Sequence, residues 1–195
     1  MRIKEGNKER DILEAAIKVF GEFGYHRAKI SKIAEVAGVA TGSVYVYFED
    51  KEDILLQIFE AIWTKLHDEL IIVKSNRLLS PTEKFDSLID LVFDVYAENP
   101  SLAMVFVNEQ NHLQRSAEKR FTVFYEKFMN VGEEIIREGI DKEVFSESLD
   151  VNILRYYVFG AIRSLLHHWA VDPKSYPLNK IRQNVKSLTR RGIQK

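Results

Sequence analysis

Ile30-Ser31-Lys32-Ile33-Ala34-Glu35-Val36-Ala37-Gly38-Val39-Ala40-Thr41-Gly42-Ser43-Val44-Tyr45-Val46-Tyr47-Phe48 is the stretch on which the reading of this chain turns. It holds two short segments with helical apolar spacing, about Ser31–Ala37 and Thr41–Phe48, separated by a turn containing Gly38. Two short helices joined by a three- or four-residue turn with a glycine make a helix-turn-helix. At about 100° per residue, Val44 and Phe48 share one face of the second segment and can pack on Ile33, Ala37 and Val39. Gly42, Ser43, Tyr45 and Val46 are then left facing outward. That outward face carries small, hydroxylated and aromatic groups and no charge. It suits a DNA major groove, where hydroxyls meet base edges or phosphates and apolar groups meet thymine methyls. Small residues in the first turn also let a helix N-terminus come close to the phosphate backbone. The plain alternative is a buried connector helix.

Basic side chains flank this stretch: Arg27, Lys29 and Lys32 before or within the first segment, Lys51 after the second, and an N-terminal arm of Arg2, Lys4, Lys8 and Arg10. Residues 1–51 nevertheless hold nine basic and eight acidic groups, a net of +1. This is a weak electrostatic footprint for nucleic acid. Binding would rest on two copies and correct placement, not on bulk charge.

Helical signals continue through the rest of the chain. One helix is predicted from about Asn7, as its cap, to Phe23, and another opens at Asp50 with Glu52 and Asp53 in its first turn. Ser80-Pro81-Thr82-Glu83 is a capping box with proline at the first helical position. Asn99-Pro100 stops one helix and starts the next. Further helices are predicted for about Ser116–Gly139, from the cap Asp150 to about Val171, and for Leu178 to about Gly192. About nine helices and no strand make the fold all-α. An N-terminal three-helix DNA-binding domain would occupy residues 1–50, and a helical effector-binding and dimerisation domain residues 51–195.

The composition excludes several functions. The 195 residues include 28 Lys and Arg against 29 Asp and Glu, and no cysteine, so disulfides, thiolate nucleophiles and Cys-ligated zinc are ruled out. No secretory pattern opens the chain, and no run approaches the roughly 18 apolar residues of a membrane span. A cytoplasmic protein without a membrane role is the expectation. His26, His67, His112, His167 and His168 show no metal-site spacing, and there is neither a Gly-x-Ser-x-Gly elbow nor a glycine-rich phosphate loop. No catalytic residue, metal or cofactor is expected, and the chain is not read as an enzyme.

The run from Ile33-Ala34 through Ala37-Gly38-Val39, Gly42-Ser43, Tyr45 and Tyr47-Phe48 to Lys51-Glu52-Asp53-Ile54-Leu55 resembles the DNA-binding head of TetR-family regulators, over about residues 8–60. The resemblance implies that Lys51 and Tyr47 hold phosphate. It puts Thr41, Gly42, Ser43 and Tyr45 in or at the groove, and Ser31 where a base or phosphate contact is often made. Lys29 and Ala40 depart from the pattern, standing where the family often has capping hydroxyl residues; each change weakens a cap by up to ~1 kcal/mol. Asn99-Pro100-Ser101-Leu102-Ala103, Glu138-Gly139-Ile140, and Leu149-Asp150-Val151 through Phe159-Gly160-Ala161-Ile162 to Trp169 resemble, more loosely, the FadR-like branch, which responds to long-chain acyl-CoA. A homodimeric repressor of palindromic operator DNA, released by an apolar effector such as long-chain acyl-CoA, is what the resemblance implies. Three alternatives stand beside it: a helical lipid or acyl carrier without a DNA role, a regulator of a multidrug efflux gene, and an interfacial membrane protein.

Residues 81–171 carry more aromatic groups than the main helix stripes need. An apolar cavity is expected, with Phe93, Met104, Phe106, Phe124, Phe128, Tyr156 and Phe159 around it, and Asn108 and Arg163 among the polar groups for a head group. The last two helices are read as a two-fold interface. Leu178, Ile181, Val185 and Leu188 follow coiled-coil spacing, Gly160 and Ser164 permit close approach, and Trp169 supplies area. Intramolecular packing is the alternative there. Arg182, Lys186 and Arg190 belong to a C-terminal stretch without acids, read as a solvated face or an anchor for CoA phosphates.

Overall fold

The computed structural model describes residues 6–97 and 99–195, side chains at 6, 7 and 118 excepted. Arg2 and Lys4 of the basic arm lie outside the described residues. Nine helices are described: α1 Gly6–Phe23, α2 Ile30–Ala37, α3 Thr41–Val44, α4 Lys51–Ser75, α5 Pro81–Ala97, α6 Pro100–Ser116, α7 Glu118–Asp141, α8 Val151–Val171 and α9 Leu178–Ile193. Among the described residues the β-structure is one isolated bridge between Phe145 and Gln194. The fold is all-α, as the spacing predicts.

The boundaries follow from the caps. Gly38 ends α2 in the left-handed region at φ 68°, which a side chain would disfavour. The Asp50 carboxylate accepts from the Asp53 N–H and opens α4. At α5, the Ser80 hydroxyl accepts from the Glu83 N–H while the Glu83 carboxylate accepts from the Ser80 N–H, closing the box. Asn99 and Asp150 cap α6 and α8. Lys29 and Ala40 make no side-chain cap bond. Asn7 lies within α1, which already begins at Gly6. The segment after Ala40 is also shorter in α-geometry than its spacing suggests. Beyond Val44 it tightens, with the Val46 N–H on Ser43 O and the Tyr47 N–H on Val44 O.

Helices α1–α3 form a head around Ile12, Ala16, Val19, Phe20, Ile33, Val44 and Phe48, and α4–α9 form the body. Helix α4 packs on α1 at one end and on α5 and α7 along the rest. Trp63 on α4 is fully buried, with its ring 5.0–6.2 Å from those of Phe106, Tyr125, Phe128 and Phe159. Spacing alone places it one turn beyond Phe59, yet the apolar stripe of α4 reads as complete without it.

Helix α9 lies along α5, and this overturns two expectations. Ile181 and Val185 are buried inside the protomer with Thr189 and Ile193, so the predicted seam packs intramolecularly. The C-terminal basic groups are paired as well: Arg182 with Asp94 and Asp90, Lys186 with Asp90, and Arg190 with Asp86. Acids at 86, 90 and 94 and bases at 182, 186 and 190 share a four-residue repeat, so the two helices zip laterally. A solvated face and a CoA-phosphate anchor are both replaced by this pairing.

Lys84 is buried on α5, and its ammonium reaches both oxygens of Glu138 on α7 at 2.8 and 3.1 Å. Hydrogen bonds from Lys142 and then Lys84 hold the Glu138 carboxyl below the usual carboxylate value. A depressed folded-state value gives stability that is present at neutral pH and lost as pH falls through it. Glu138→Gln strands the Lys84 charge. It should cost on the order of 2 kcal/mol, less than a fully enclosed pair, and lower the melting temperature by about 4–8 °C at pH 7. Calorimetry should show that difference shrinking below about pH 4; an unchanged melting temperature at pH 7 would refute the role.

Candidate functional site

Burial of Val44 and Phe48 fixes which side of the Thr41–Tyr47 segment meets solvent. Thr41, Gly42, Tyr45 and Val46 are exposed, Tyr45 by 57 % and Val46 by 58 %. Ser43 and Tyr47 are half-buried, with Tyr47 packed partly on the core. Ser31 is exposed on α2. These positions share the outer side of the head and present hydroxyls, a phenol and an isopropyl group. Lys32 pairs with Glu35 at 2.7 Å and Arg27 donates to the Phe23 carbonyl, which tempers their charge on this side.

Lys51 is engaged within the protomer. Its ammonium donates to the carbonyls of Tyr25 at 2.8 Å, Ala28 at 3.1 Å and His26 at 3.3 Å, and lies 4.5 Å from the centre of the Tyr25 ring. An ammonium has three donors, and all three point into the α1–α2 loop. In this structure Lys51 is therefore a fastener of the loop before α2, not a free phosphate grip. Sequence spacing could not reveal this, because the carbonyls lie over twenty residues away.

The head meets the body around Tyr25. Its backbone N–H donates to the buried carboxylate of Glu109 on α6. Burial, then the charges of Glu52, Asp50 and Glu109, pushes its hydroxyl up to about 12. Gly21 brings α1 against α6 so closely that a Cβ there would lie 2.9 Å from the Ser101 Cβ. Beside this joint, Asp53 at the start of α4 pairs with Arg120 of α7 at 3.1 Å.

Two cavities meet in the body at Phe159. The inner one, about 40 Å³, is apolar and lies among Phe85, Leu88, Phe128, Met129, Leu154 and Phe159. The outer one, about 220 Å³, is bounded by Phe106, Tyr125 and Phe159 inside and by Gln110, Asn111, Gln114 and Arg163 at its mouth. Arg163 donates to the Val107 carbonyl and to Asn111 Oδ1, and burial draws its guanidinium below the ordinary value. Phe106, Tyr156, Phe159 and Arg163 thus line the outer cavity, and Phe128 with Phe159 the inner one. Phe93 and Phe124 are packed in the core and line neither; Met104, half-buried, and Asn108, exposed, also stand outside both. Sequence reasoning missed Gln110 as a lining residue; it is buried one turn beyond Phe106, and its Oε1 lacks a partner. Trp63 Nε1 and the Tyr96 hydroxyl are also buried without hydrogen-bond partners.

One apolar face of α8 has no cover. Ile153, Tyr157, Gly160, Ser164 and Val171 recur at three- and four-residue steps, or a sum of them, and are all exposed, as is Leu188 of α9. Of the predicted interface residues, Gly160, Ser164 and Leu188 lie on this surface. Trp169 is buried inside the protomer like Ile181 and Val185, and Leu178 is half-buried against the core.

The sequence matches two family models: bacterial regulatory proteins of the tetR family over residues 12–58, and the C-terminal region of YsiA-like proteins over residues 65–192. The chain belongs to the TetR family. A fatty acid metabolism regulator protein of Bacillus subtilis is 31% identical over 189 residues, 95% of each chain. The structure of FadR from Bacillus halodurans, a fatty acid degradation regulator, superimposes with a TM-score of 0.81 at 29% identity, covering 93% of this chain and 97% of that one. FadR from Bacillus subtilis in complex with stearoyl-CoA gives 0.79 at 31% identity, covering 92% and 96%. This TetR-family member is a transcriptional regulator. Among the described residues, no helix is long and apolar enough to cross a membrane.

Replacing Lys51 by Met discriminates its two roles. A phosphate contact would reduce the slope of log affinity against log salt by about one. A fastener should instead leave the slope unchanged while DNA affinity falls and amide exchange at residues 25–29 rises. A lost unit of slope with unaltered exchange would restore the phosphate assignment.

Proposed function

We propose that the chain acts as a homodimeric repressor of two-fold symmetric operator DNA, released by a long-chain acyl-CoA. Residues 1–50 would bind DNA and residues 51–195 the effector and the second subunit. Thr41, Gly42, Ser43 and Tyr45 would meet the groove, with Ser31 and Tyr47 at its edge. The observation that carries this reading is the uncharged outer side of Thr41–Val46, exposed because Val44 and Phe48 are buried. A head of net charge near zero binds DNA weakly alone, so two copies related by a two-fold axis are needed. The bare α8 face, with Tyr157 63 % and Leu188 66 % exposed, supports that pairing.

The effector reading rests on the two cavities and on Arg163. Neither cavity reaches the roughly 300 Å³ of a small-molecule pocket, and Phe159 stands between them. Turning that ring aside would join them into one channel with a cationic mouth and an apolar end. Trp63 Nε1 and the Tyr96 hydroxyl are buried donors lacking acceptors, and a thioester carbonyl would supply one. An acyl chain stabilises whichever arrangement of α4, α6 and α8 makes room for it. It lowers operator affinity by its preference for that arrangement over the DNA-bound one. Stearoyl-CoA is the ligand named with the Bacillus subtilis FadR structure, which supports the same class here.

Footprinting on the upstream region of its own gene, with and without stearoyl-CoA, tests the whole reading. Tyr45→Ala should raise the operator Kd about 10- to 100-fold while sedimentation still gives a dimer; unchanged specific binding would exclude the groove assignment. Tyr157→Asp should yield a helical monomer. A dimer persisting in that variant would move the interface elsewhere.

A further inference from the structure

His112 sits on the flank of α6 away from the outer cavity, where α6 meets the head. Its ring centre is 4.6 Å from that of Tyr25 and 5.5 Å from that of His26, and the Tyr25 and His26 rings are 5.4 Å apart. Its Nε2 is buried without a hydrogen bond, 3.4 Å from Glu52 Oε2 at the start of α4. One turn earlier on α6, Glu109 accepts the Tyr25 N–H. The opposite flank of α6 is held through Val107 O and Asn111 by Arg163, and lines the cavity with Phe106 and Gln110. Helix α6 thus touches both the proposed effector site and the Tyr25 loop.

We propose that protonation of His112 tightens the joint between α6 and the head, so that acidification opposes effector-driven release of DNA. The proposal rests on the effector reading above. Histidine is the side chain whose charge ordinarily changes between about pH 5 and 8. A neutral imidazole protonated on Nδ1 leaves the gap between Nε2 and Glu52 unbridged, and one protonated on Nε2 offers only a neutral donor; an imidazolium presents a charged N–H to that carboxylate and forms a charge-assisted bond.

Other charged groups face the same joint. From α4 and its cap come Glu52 and Asp50, and from α6 itself Glu109, the three carboxylates that bear on Tyr25. Among the cations, Lys51 spends its ammonium on the loop carbonyls, and Arg120 of α7 is paired with Asp53. Arg115 is exposed in the last turn of α6. His26 is exposed on the loop, its ring 5.5 Å from that of His112. Protonating it as well would set two cations side by side and oppose the effect. The added hold on α6 is present while His112 is charged and is lost when it is neutral.

The full-length dimer gives two readouts. In ¹⁵N spectra the Tyr25 amide should follow a single titration between pH 5.5 and 8, absent from His112→Gln and retained in His26→Gln. The stearoyl-CoA concentration for half-release of a duplex selected from a random pool should be at least ~5-fold higher at pH 6 than at pH 8, at the low end of allosteric couplings. His112→Gln should remove that ratio while keeping circular dichroism and operator affinity at pH 8. A Tyr25 amide that does not titrate, or an equal pH ratio in the wild type and His112→Gln, overturns the proposal. If stearoyl-CoA releases no DNA at either pH, the effector reading fails, and the amide titration alone decides the joint.

Discussion

Helix α4 has to belong to two cores at once. Its first turns carry Ile54 and Leu55, fully buried where α4 packs on α1, and its later turns carry Phe59, Trp63, Leu66 and Leu70 into the body. A helix is stiff over its length, and at 1.5 Å per residue 25 residues span about 37 Å. Whatever moves its body end therefore bears on the head. The three helices of the head, two of them of only eight and four residues, would bury little apolar area by themselves. Their stability is borrowed from α4 and α6, which is why the surface proposed for DNA and the interior proposed for an effector are not energetically separate.

Polar groups at the junction convert that shared packing into a defined orientation. Apolar contacts between helices are non-directional, whereas Tyr25 is held by its N–H through Glu109, by its C=O through Lys51, and by its ring between Lys51 and His112. Asp53 does similar work beside it, accepting from the Glu49 N–H and Gln57 while bonding Arg120. Buried charges that lose a partner are costly, so these contacts resist gradual deformation and favour discrete arrangements. The body is looser around Phe159. Two small cavities separated by one ring, with buried donors unsatisfied nearby, mark the place where repacking is least expensive.

The parts of the candidate site that were legible from sequence are those governed by neighbours three or four residues apart. Val44 and Phe48 face inward and Thr41, Gly42, Tyr45 and Val46 outward because the helical period says so, and the structure agrees. Phe106, Tyr156, Phe159 and Arg163 could be nominated for a cavity from surplus aromatic groups and an unaccompanied cation. Phe93 and Phe124 could not be told from them, since a ring lining a cavity and a ring filling a core have the same spacing. The contacts of Lys51 were not legible because its partners are main-chain carbonyls, which leave no trace in side-chain pattern.

The amino-acid order by itself determined the nine-helix framework of the described residues, most of its caps and the uncharged outer side of the Thr41–Tyr47 segment, all products of interactions within a few turns. Which apolar stripes remained uncovered was decided by the tertiary structure. Helix α9 turned Ile181 and Val185 onto α5, matching its bases to Asp86, Asp90 and Asp94, and left the Ile153–Tyr157–Gly160–Ser164 face of α8 bare. The physical reason is that a helical period fixes which side of a helix is apolar. What covers that side is chosen by packing between segments about a hundred residues apart.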